Sequence, residues 1–158
     1  MIKKIIYSSL HDAYNRKFDN KTLIISILDY SHRFLRPSFE GCRDKIELSF
    51  KDRSEEELGY CGRWPDKTSE YFNFVVLNED NERLFDITDA EKILNFFDKY
   101  HKIDEELDLF IHCRSGVSRS AAVALFLGRC YNIPFEGVEP RFNPNPRIIR
   151  LMTVVKGS

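Results

Sequence analysis

Short apolar segments and segments of helical periodicity alternate along this chain. Residues 2–8 and 22–28 have the length and apolar content of strands, and the second segment is nearly continuous, as expected for a strand with both faces buried. Residues 45–50 alternate between apolar and polar positions, which indicates one buried face, and residues 107–111 form another continuous apolar run. These four segments predict four strands of a sheet.

Three further segments predict helices. Residues 88–91 (Thr-Asp-Ala-Glu) form a capping box in front of an apolar helical face. Residues 117–131 are apolar on nearly every side, as in a central buried helix, and Asn145 with Pro146 supplies the N-cap and first residue of a last helix. Strands that alternate with helices predict an α/β fold: a single three-layer domain over residues 1–158, with a central, mostly parallel sheet flanked by helices.

A charged and irregular stretch, residues 53–83, interrupts this alternation. Its first half contains glycine, tryptophan and proline residues, and its second half contains a candidate strand at 71–77. The stretch is too short to hold a core of its own. We therefore interpret it as an insertion or flap within the single domain.

Composition and cysteine content narrow the class of protein. Of the 158 residues, 42% are hydrophobic and 31% are charged, which is typical of a folded globular domain. The longest apolar run, residues 120–128, is far shorter than a bilayer crossing, so we expect no membrane association. Residues 1–20 lack the apolar stretch of a secretion signal, and the four cysteines do not resemble a disulfide framework. We therefore expect reduced cysteines and a cytoplasmic protein.

The charges are distributed unevenly. The net charge of −1 argues against a nucleic-acid partner. From His112 to the last residue, however, seven basic and two acidic residues give a net charge of +5. This distribution indicates either an anionic group bound near the C-terminal third or ordinary surface charge. The same two interpretations apply to Arg141, Arg147 and Arg150.

Residues 112–120 (His-Cys-Arg-Ser-Gly-Val-Ser-Arg-Ser) carry the candidate chemistry. Cys113 ends a buried strand, and Arg119 follows after five intervening residues, near the start of a helix. A loop of small residues lets backbone N–H groups converge on a tetrahedral dianion, and Gly116 can adopt the positive φ that this requires. The helix dipole and the planar guanidinium of Arg119 add positive charge there. The expected phosphate-binding residues are Arg114, Ser115, Gly116, Val117, Ser118 and Arg119.

The same donors favour the thiolate form of Cys113, so we expect a nucleophile that is ionised at neutral pH without a neighbouring base. Ser120 can donate a hydrogen bond to the sulfur and help it depart later. We expect His112 to orient the loop by hydrogen bonding rather than to carry a proton. The alternative, an ordinary core cysteine, gives no reason for two arginines, a glycine and three serines between an apolar strand and an apolar helix.

This Cys-x5-Arg loop, with His112 before it and Ser120 after it, resembles the signature of the cysteine-dependent protein tyrosine phosphatases. The Ser-Arg-Ser ending and the short chain are most similar to the dual-specificity branch and its small bacterial and phage relatives. The similarity also takes in residues 23–29, 46–52, the stretch from 84 through the helix after the loop, and 144–147. It implies a phosphatase-like fold and no cofactor. It also implies hydrolysis of phosphomonoesters through a thiophosphoryl-enzyme intermediate, with phosphotyrosine as substrate and phosphoserine or phosphothreonine left open.

The resemblance also implies a general acid, for which Asp52, Asp80 and Asp86 are candidates. Asp52 follows the alternating strand, as the acid does in the small bacterial relatives, but it lies much farther before the cysteine than is usual in the family. Asp80 is closer to the cysteine along the chain and has the usual spacing. We prefer Asp52, taking the extra length as the insertion, and Asp80 stays open. Asp86 fits the turn before the capping box better.

Several alternatives remain open. A rhodanese-like sulfurtransferase also carries a Cys-Arg-x-Gly loop, but usually with four residues between cysteine and arginine, and a non-catalytic phosphate-binding module usually lacks one of the two residues. Cys61 is either a free cysteine, which we favour, or a disulfide partner of Cys113, as in some related phosphatases. We expect Cys130 in the core and no metal site, because the cysteines and histidines lack zinc spacing. The expected partner is a phosphorylated protein or another phosphomonoester, including a nucleotide or RNA phosphate, and a monomer is favoured.

Overall fold

A computed structural model of the chain describes residues 1–54 and 83–157. All predicted strands that fall on these residues are confirmed to within a residue or two. A fifth, three-residue strand was too short to be predicted. The strands are β1 (Ile2–Ser8), β2 (Thr22–Leu28), β3 (Asp44–Ser49), β4 (Leu107–His112) and β5 (Phe135–Gly137). In this part of the chain the sheet has the order β3-β2-β4-β1-β5, and every neighbouring pair is parallel.

The three predicted helices are confirmed: the last begins at Pro146 as predicted, and the starts of the other two are shifted by one or two residues. The long helix after residue 83 begins earlier than predicted, because Asp86 and Asp89, rather than Thr88 and Glu91, form the capping box: each side chain accepts the other's backbone N–H at 3.0 Å. No helix within the described ranges has the length and apolar character to cross a bilayer. The helices are α1 (Leu10–Tyr14), the 3-10 helix Tyr30–Leu35, α2 (Ile87–His101), α3 (Arg119–Cys130) and α4 (Pro146–Lys156).

The two faces of the sheet carry cores of different size. Leu23 and Ile25 of β2 face the main core, where α2 and α3 pack against the sheet and α4 packs against both of these helices. Ile24, between them, faces a smaller cluster that contains Ala13 of α1 and Phe39. This alternation buries β2 on both sides, as its continuous apolar sequence predicted. The described residues therefore form a three-layer α/β arrangement.

Two predictions about individual side chains are wrong. Arg147, expected either to steer an anion or to lie on a solvated face, is fully buried, and its Nε donates to the carbonyl oxygen of Phe85 at 2.5 Å. Burial, reinforced by the charge of Arg150, lowers the pKa of Arg147 to about 10. Cys130, expected in the core, is exposed because it is the last residue of α3 and lies beyond the buried stretch of that helix.

The carboxyl ends of the parallel strands meet at one edge of the sheet. Asp29 follows β2, Asp52 follows β3 and Cys113 follows β4, so polar residues converge there. The segments on either side of the predicted insertion also meet at this edge. Lys51 pairs with Leu84, and the N–H of Lys51 donates to the carbonyl oxygen of residue 83 at 2.8 Å. The interior of the predicted insertion, with the candidate strand at 71–77, lies outside the described residues.

Candidate active site

The segment between β4 and α3 forms a tight loop held by its neighbours. The N–H of Cys113 donates to the carbonyl oxygen of Ser8 at 3.2 Å, and the carbonyl oxygen of Arg114 accepts from the N–H of Leu10 at the same distance. These bonds tie the loop to the end of β1 and the start of α1. Arg114 and Ser115 are exposed, whereas Val117 and Ser118 are half-buried. The loop therefore has an open side, while its backbone is held in place beside β1.

Gly116 adopts the predicted left-handed conformation, with a φ of +76°. A Cβ at this position would lie 2.6 Å from both the carbonyl carbon of Ser8 and the nitrogen of Ser9. These neighbours are backbone atoms and cannot rotate away. Glycine is therefore required both by the turn and by the close approach of β1.

The sulfur of Cys113 is buried, and two polar groups lie next to it. The N–H of Gly116 donates to Sγ at 3.2 Å, and Oγ of Ser120 lies 3.1 Å from the same atom. Cys113 as a whole is only 1% exposed. Hydrogen bonds donated to a sulfur stabilise its thiolate form more than its thiol form. The geometry is therefore compatible with the predicted roles of Cys113 and Ser120.

Arg119 reaches across the edge of the sheet to the residues that follow β2 and β3. Its Nη1 donates to Oδ1 of Asp29 at 2.6 Å and to the carbonyl oxygen of Phe50 at 2.8 Å. Among the residues that the structure describes, no group accepts a hydrogen bond from its buried Nε. The guanidinium is thus anchored on one side and retains an unused donor. Asp29 and Phe50 were not predicted as site residues, because nothing in their local sequence distinguishes them from other strand ends.

Asp52 lies at the loop, whereas Asp86 does not. Oδ1 of Asp52 accepts a hydrogen bond from Oγ of Ser118 at 2.7 Å and another from Nδ2 of Asn145 at 2.9 Å. Asp86 instead caps α2, which removes it as a candidate general acid. Asp80 and Cys61 lie outside the described residues, so the choice between Asp52 and Asp80 stays a prediction.

His112 is part of a chain of hydrogen bonds behind the loop. Its Nδ1 lies 3.2 Å from the carbonyl oxygen of Cys113, which can only accept, so Nδ1 carries the proton. Nε2 therefore accepts from Oγ of Ser26 at 2.7 Å, and this hydroxyl in turn accepts from Nε of Arg36 at 2.9 Å. Burial, reinforced by the charges of Arg36 and Arg119, lowers the pKa of His112 to about 4, although its hydrogen bond to Cys113 opposes this shift. A neutral, fixed ring agrees with the predicted orienting role.

The structure brings together the predicted residues Cys113, Ser118, Arg119, Ser120 and Asp52. It adds a ring of supporting groups that the sequence patterns did not indicate. Within residues 1–54 and 83–157, no group of three or more His, Cys, Asp and Glu side chains is arranged to hold a metal ion. The supporting groups are Ser26, Asp29, Arg36 and the side-chain amide of Asn145.

Comparison with protein-family models, with curated proteins and with solved structures found no match to this chain. The geometry of the loop and the chemistry of its residues are therefore the basis for a functional assignment.

We expect the substitution Gly116→Ala to weaken oxyanion binding, because the added Cβ forces the loop away from β1. The affinity for tungstate, measured by isothermal titration calorimetry, should fall by more than about tenfold, the equivalent of about 1.4 kcal/mol. Gly41→Ala is the matched control, since Gly41 also has a left-handed φ, +90°, and its added Cβ would lie 2.6 Å from a backbone oxygen remote from the loop. Equal loss of affinity in both variants would contradict a specific role for Gly116.

We also expect His112 to make folding stability depend on pH. Since its pKa is about 4 in the folded chain and its ordinary value is 6.5, the unfolded chain binds a proton between these values that the folded chain does not. The free energy of unfolding should therefore fall as the pH decreases from 6.5 to 4, by up to about 3 kcal/mol. Urea unfolding at a series of pH values measures this dependence.

His112→Gln should remove that part of the pH dependence. His101→Gln is the control. Burial also lowers the pKa of His101, but this residue lies far from the loop, at the end of α2, so its substitution should leave the contribution of His112 to the pH dependence in place. If wild type and His112→Gln lose stability in parallel as the pH falls, the assigned protonation state of His112 is wrong.

Proposed function

We propose that this protein is a cysteine-dependent phosphatase, similar to the dual-specificity branch of the protein tyrosine phosphatases, that hydrolyses phosphomonoesters. The observation that carries the proposal is the loop itself: a buried sulfur accepts the N–H of Gly116, and Arg119, at the other end of the same loop, has its guanidinium held by Asp29. The unused Nε donor of Arg119 supports the proposal, because a bound phosphate oxygen would give this buried N–H an acceptor. Intact Cys113 and Arg119 favour catalysis over simple phosphate binding.

In the first step the thiolate of Cys113 attacks the phosphorus atom opposite the leaving oxygen. An S–P bond forms as the P–O bond to the leaving group breaks. The loop N–H groups and Arg119 stabilise the negative charge on the three remaining phosphate oxygens. Asp52, placed beside the loop by Ser118, donates its proton to the leaving oxygen, so an alcohol or phenol departs rather than an alkoxide or phenolate.

In the second step water hydrolyses the thiophosphoryl intermediate. Asp52, now a carboxylate, accepts a proton from the water as the oxygen attacks phosphorus. The S–P bond breaks, and the electron pair returns to the sulfur of Cys113. Oγ of Ser120, 3.1 Å from that sulfur, donates a hydrogen bond that makes the thiolate a better leaving group. Inorganic phosphate is released and the enzyme returns to its starting state.

The substrate class follows from the same loop. The loop lacks lysine, which argues against a highly charged lipid headgroup as the substrate. We propose phosphotyrosine in proteins as the main substrate, with phosphoserine and phosphothreonine as further candidates. The five residues between Cys113 and Arg119 favour a phosphoryl group over the persulfide of a sulfurtransferase. A phosphatase-like fold, a cytoplasmic location, a monomeric state and the absence of a cofactor belong to the same proposal.

The proposal predicts hydrolysis of aryl phosphates that is inhibited by vanadate and abolished by Cys113→Ser, because a serine hydroxyl at this position is not ionised.

Asp52→Asn should lower kcat by about 10²- to 10⁴-fold and remove the decline of activity at high pH, because the proton donor is lost. Asp80→Asn is the control and should leave both properties close to wild type. The measurement is the pH dependence of kcat and kcat/KM for each variant.

Two outcomes would contradict this assignment. If Asp80→Asn collapses the rate and Asp52→Asn does not, Asp52 is not the general acid. If the protein transfers sulfur from thiosulfate to cyanide and does not hydrolyse aryl phosphates, the sulfurtransferase alternative replaces the phosphatase. Tight phosphopeptide binding without turnover would instead indicate a non-catalytic module.

A further inference from the structure

Asn145 connects three parts of the candidate site. Its side chain is buried, at 2% exposure, between the end of β3 and the start of α4. Its backbone N–H donates to the carbonyl oxygen of Ser118, a residue of the loop, at 3.2 Å. Its Nδ2 donates to Oδ1 of Asp52 at 2.9 Å and to the carbonyl oxygen of Arg53 at 3.2 Å. The residue therefore contacts both the loop and the proposed general acid.

The orientation of the Asn145 amide is determined by its two sets of partners. Oδ1 accepts the backbone N–H groups of Arg147 at 2.9 Å and Ile148 at 3.3 Å, as the N-cap of α4. Exchanging the amide oxygen and nitrogen would place the oxygen against two acceptors, Asp52 and the carbonyl of Arg53, and the NH₂ group against two donors. The start of α4 therefore keeps the NH₂ group directed at Asp52.

The two oxygens of Asp52 consequently differ. Oδ1 accepts two hydrogen bonds, from Ser118 and Asn145, which leaves no favourable place for a proton on this atom. Within the described ranges, Oδ2 makes no such bond. A proton bound to this carboxyl group therefore resides on Oδ2, and the direction of the C–Oδ2 bond is fixed by the contacts of Oδ1.

We propose that Asn145 is a positioning residue of the phosphatase reaction: it holds Oδ1 of Asp52 so that Oδ2 carries the proton delivered to the leaving group. This inference rests on the proposed function and on Asp52 as its general acid. Asn145 itself does not contact the substrate. Its effect is on the orientation of the Asp52 carboxyl group, through the hydrogen bond to Oδ1.

The test must distinguish the positioning of Asp52 by Asn145 from the role of Asn145 as the N-cap of α4. Asn, Asp and Ser are similarly effective N-caps, so Asn145→Ser and Asn145→Asp keep an acceptor for α4 while removing the NH₂ donor. Thermal unfolding should place Asn145→Ser within a few degrees of wild type, whereas Asn145→Asp should unfold at a lower temperature, because its second carboxylate oxygen faces Asp52 and the carbonyl oxygen of Arg53. Asn143→Asp is the matched control for charge, because Asn143 is exposed and lies two residues earlier in the chain.

The first readout is the dependence of kcat/KM on the leaving group, since kcat/KM reports only the steps through cleavage of the P–O bond. For Asn145→Ser we expect a loss of about tenfold with alkyl phosphates, which need protonation, and of less than about twofold with 4-nitrophenyl phosphate, whose leaving group is already stable as an anion. A plot of log kcat/KM against the acidity of substituted phenols should become steeper than in wild type.

The second readout is the pH profile. Asn145→Asp places a second carboxylate against Asp52, and like charges at this distance disfavour ionisation. The decline of kcat/KM at high pH should therefore move upward by about one pH unit. Asn143→Asp should leave the decline in place.

Three outcomes would overturn the inference. An equal loss of kcat/KM for all leaving groups in Asn145→Ser would indicate a purely structural role. A pH profile that moves no further in Asn145→Asp than in Asn143→Asp would show that Asn145 does not act on the general acid. If wild type shows no turnover that depends on Cys113, the proposed function fails and the role of Asn145 fails with it, a result distinct from either of the first two.

Discussion

Cys113 and Arg119 are both buried, at 1% and 5% exposure, and the proposed chemistry requires both to be charged. A charged group removed from water is stable only when other groups neutralise it or donate and accept the hydrogen bonds that water supplied. The sulfur receives the N–H of Gly116, and the guanidinium receives the carboxylate of Asp29. The residues around the loop therefore supply the hydrogen bonds and the opposite charge that allow Cys113 and Arg119 to be charged while buried.

The topology of the sheet supplies those groups. Because β4 lies between β1 and β2 and all the strands run in the same direction, Cys113 emerges between the residues that end its two neighbours. β1 contributes the carbonyl oxygen that accepts the N–H of Cys113, and β2 is followed by Asp29, which holds Arg119. The residues after β3 complete the edge with Phe50 and Asp52. An antiparallel sheet would send half of these strand ends to the opposite edge.

The order of the strands also explains which parts of the site could be predicted from the sequence. The positive φ of Gly116 and the cap at Asn145 depend on neighbouring residues, and the local pattern was sufficient for both. The partnership of Arg36 with Ser26, the burial of Arg147 and the contact between Asp29 and Arg119 depend on which elements become neighbours in space. Hydrophobic periodicity does not contain that information, since it identifies strands and helices without giving their order in the sheet.

The choice of general acid also depends on which segments become neighbours in space. Spacing along the chain favours Asp80, because the separation between Asp52 and the cysteine is longer than is usual in the family that the loop resembles. However, Lys51 pairs with Leu84, so the chain before residue 55 and the chain after residue 82 lie side by side whatever the length between them. The position of Asp52 relative to the loop is then determined by Ser118 and Asn145 rather than by a residue count. The number of residues between Asp52 and the cysteine is therefore not by itself an argument against Asp52 as the proposed general acid.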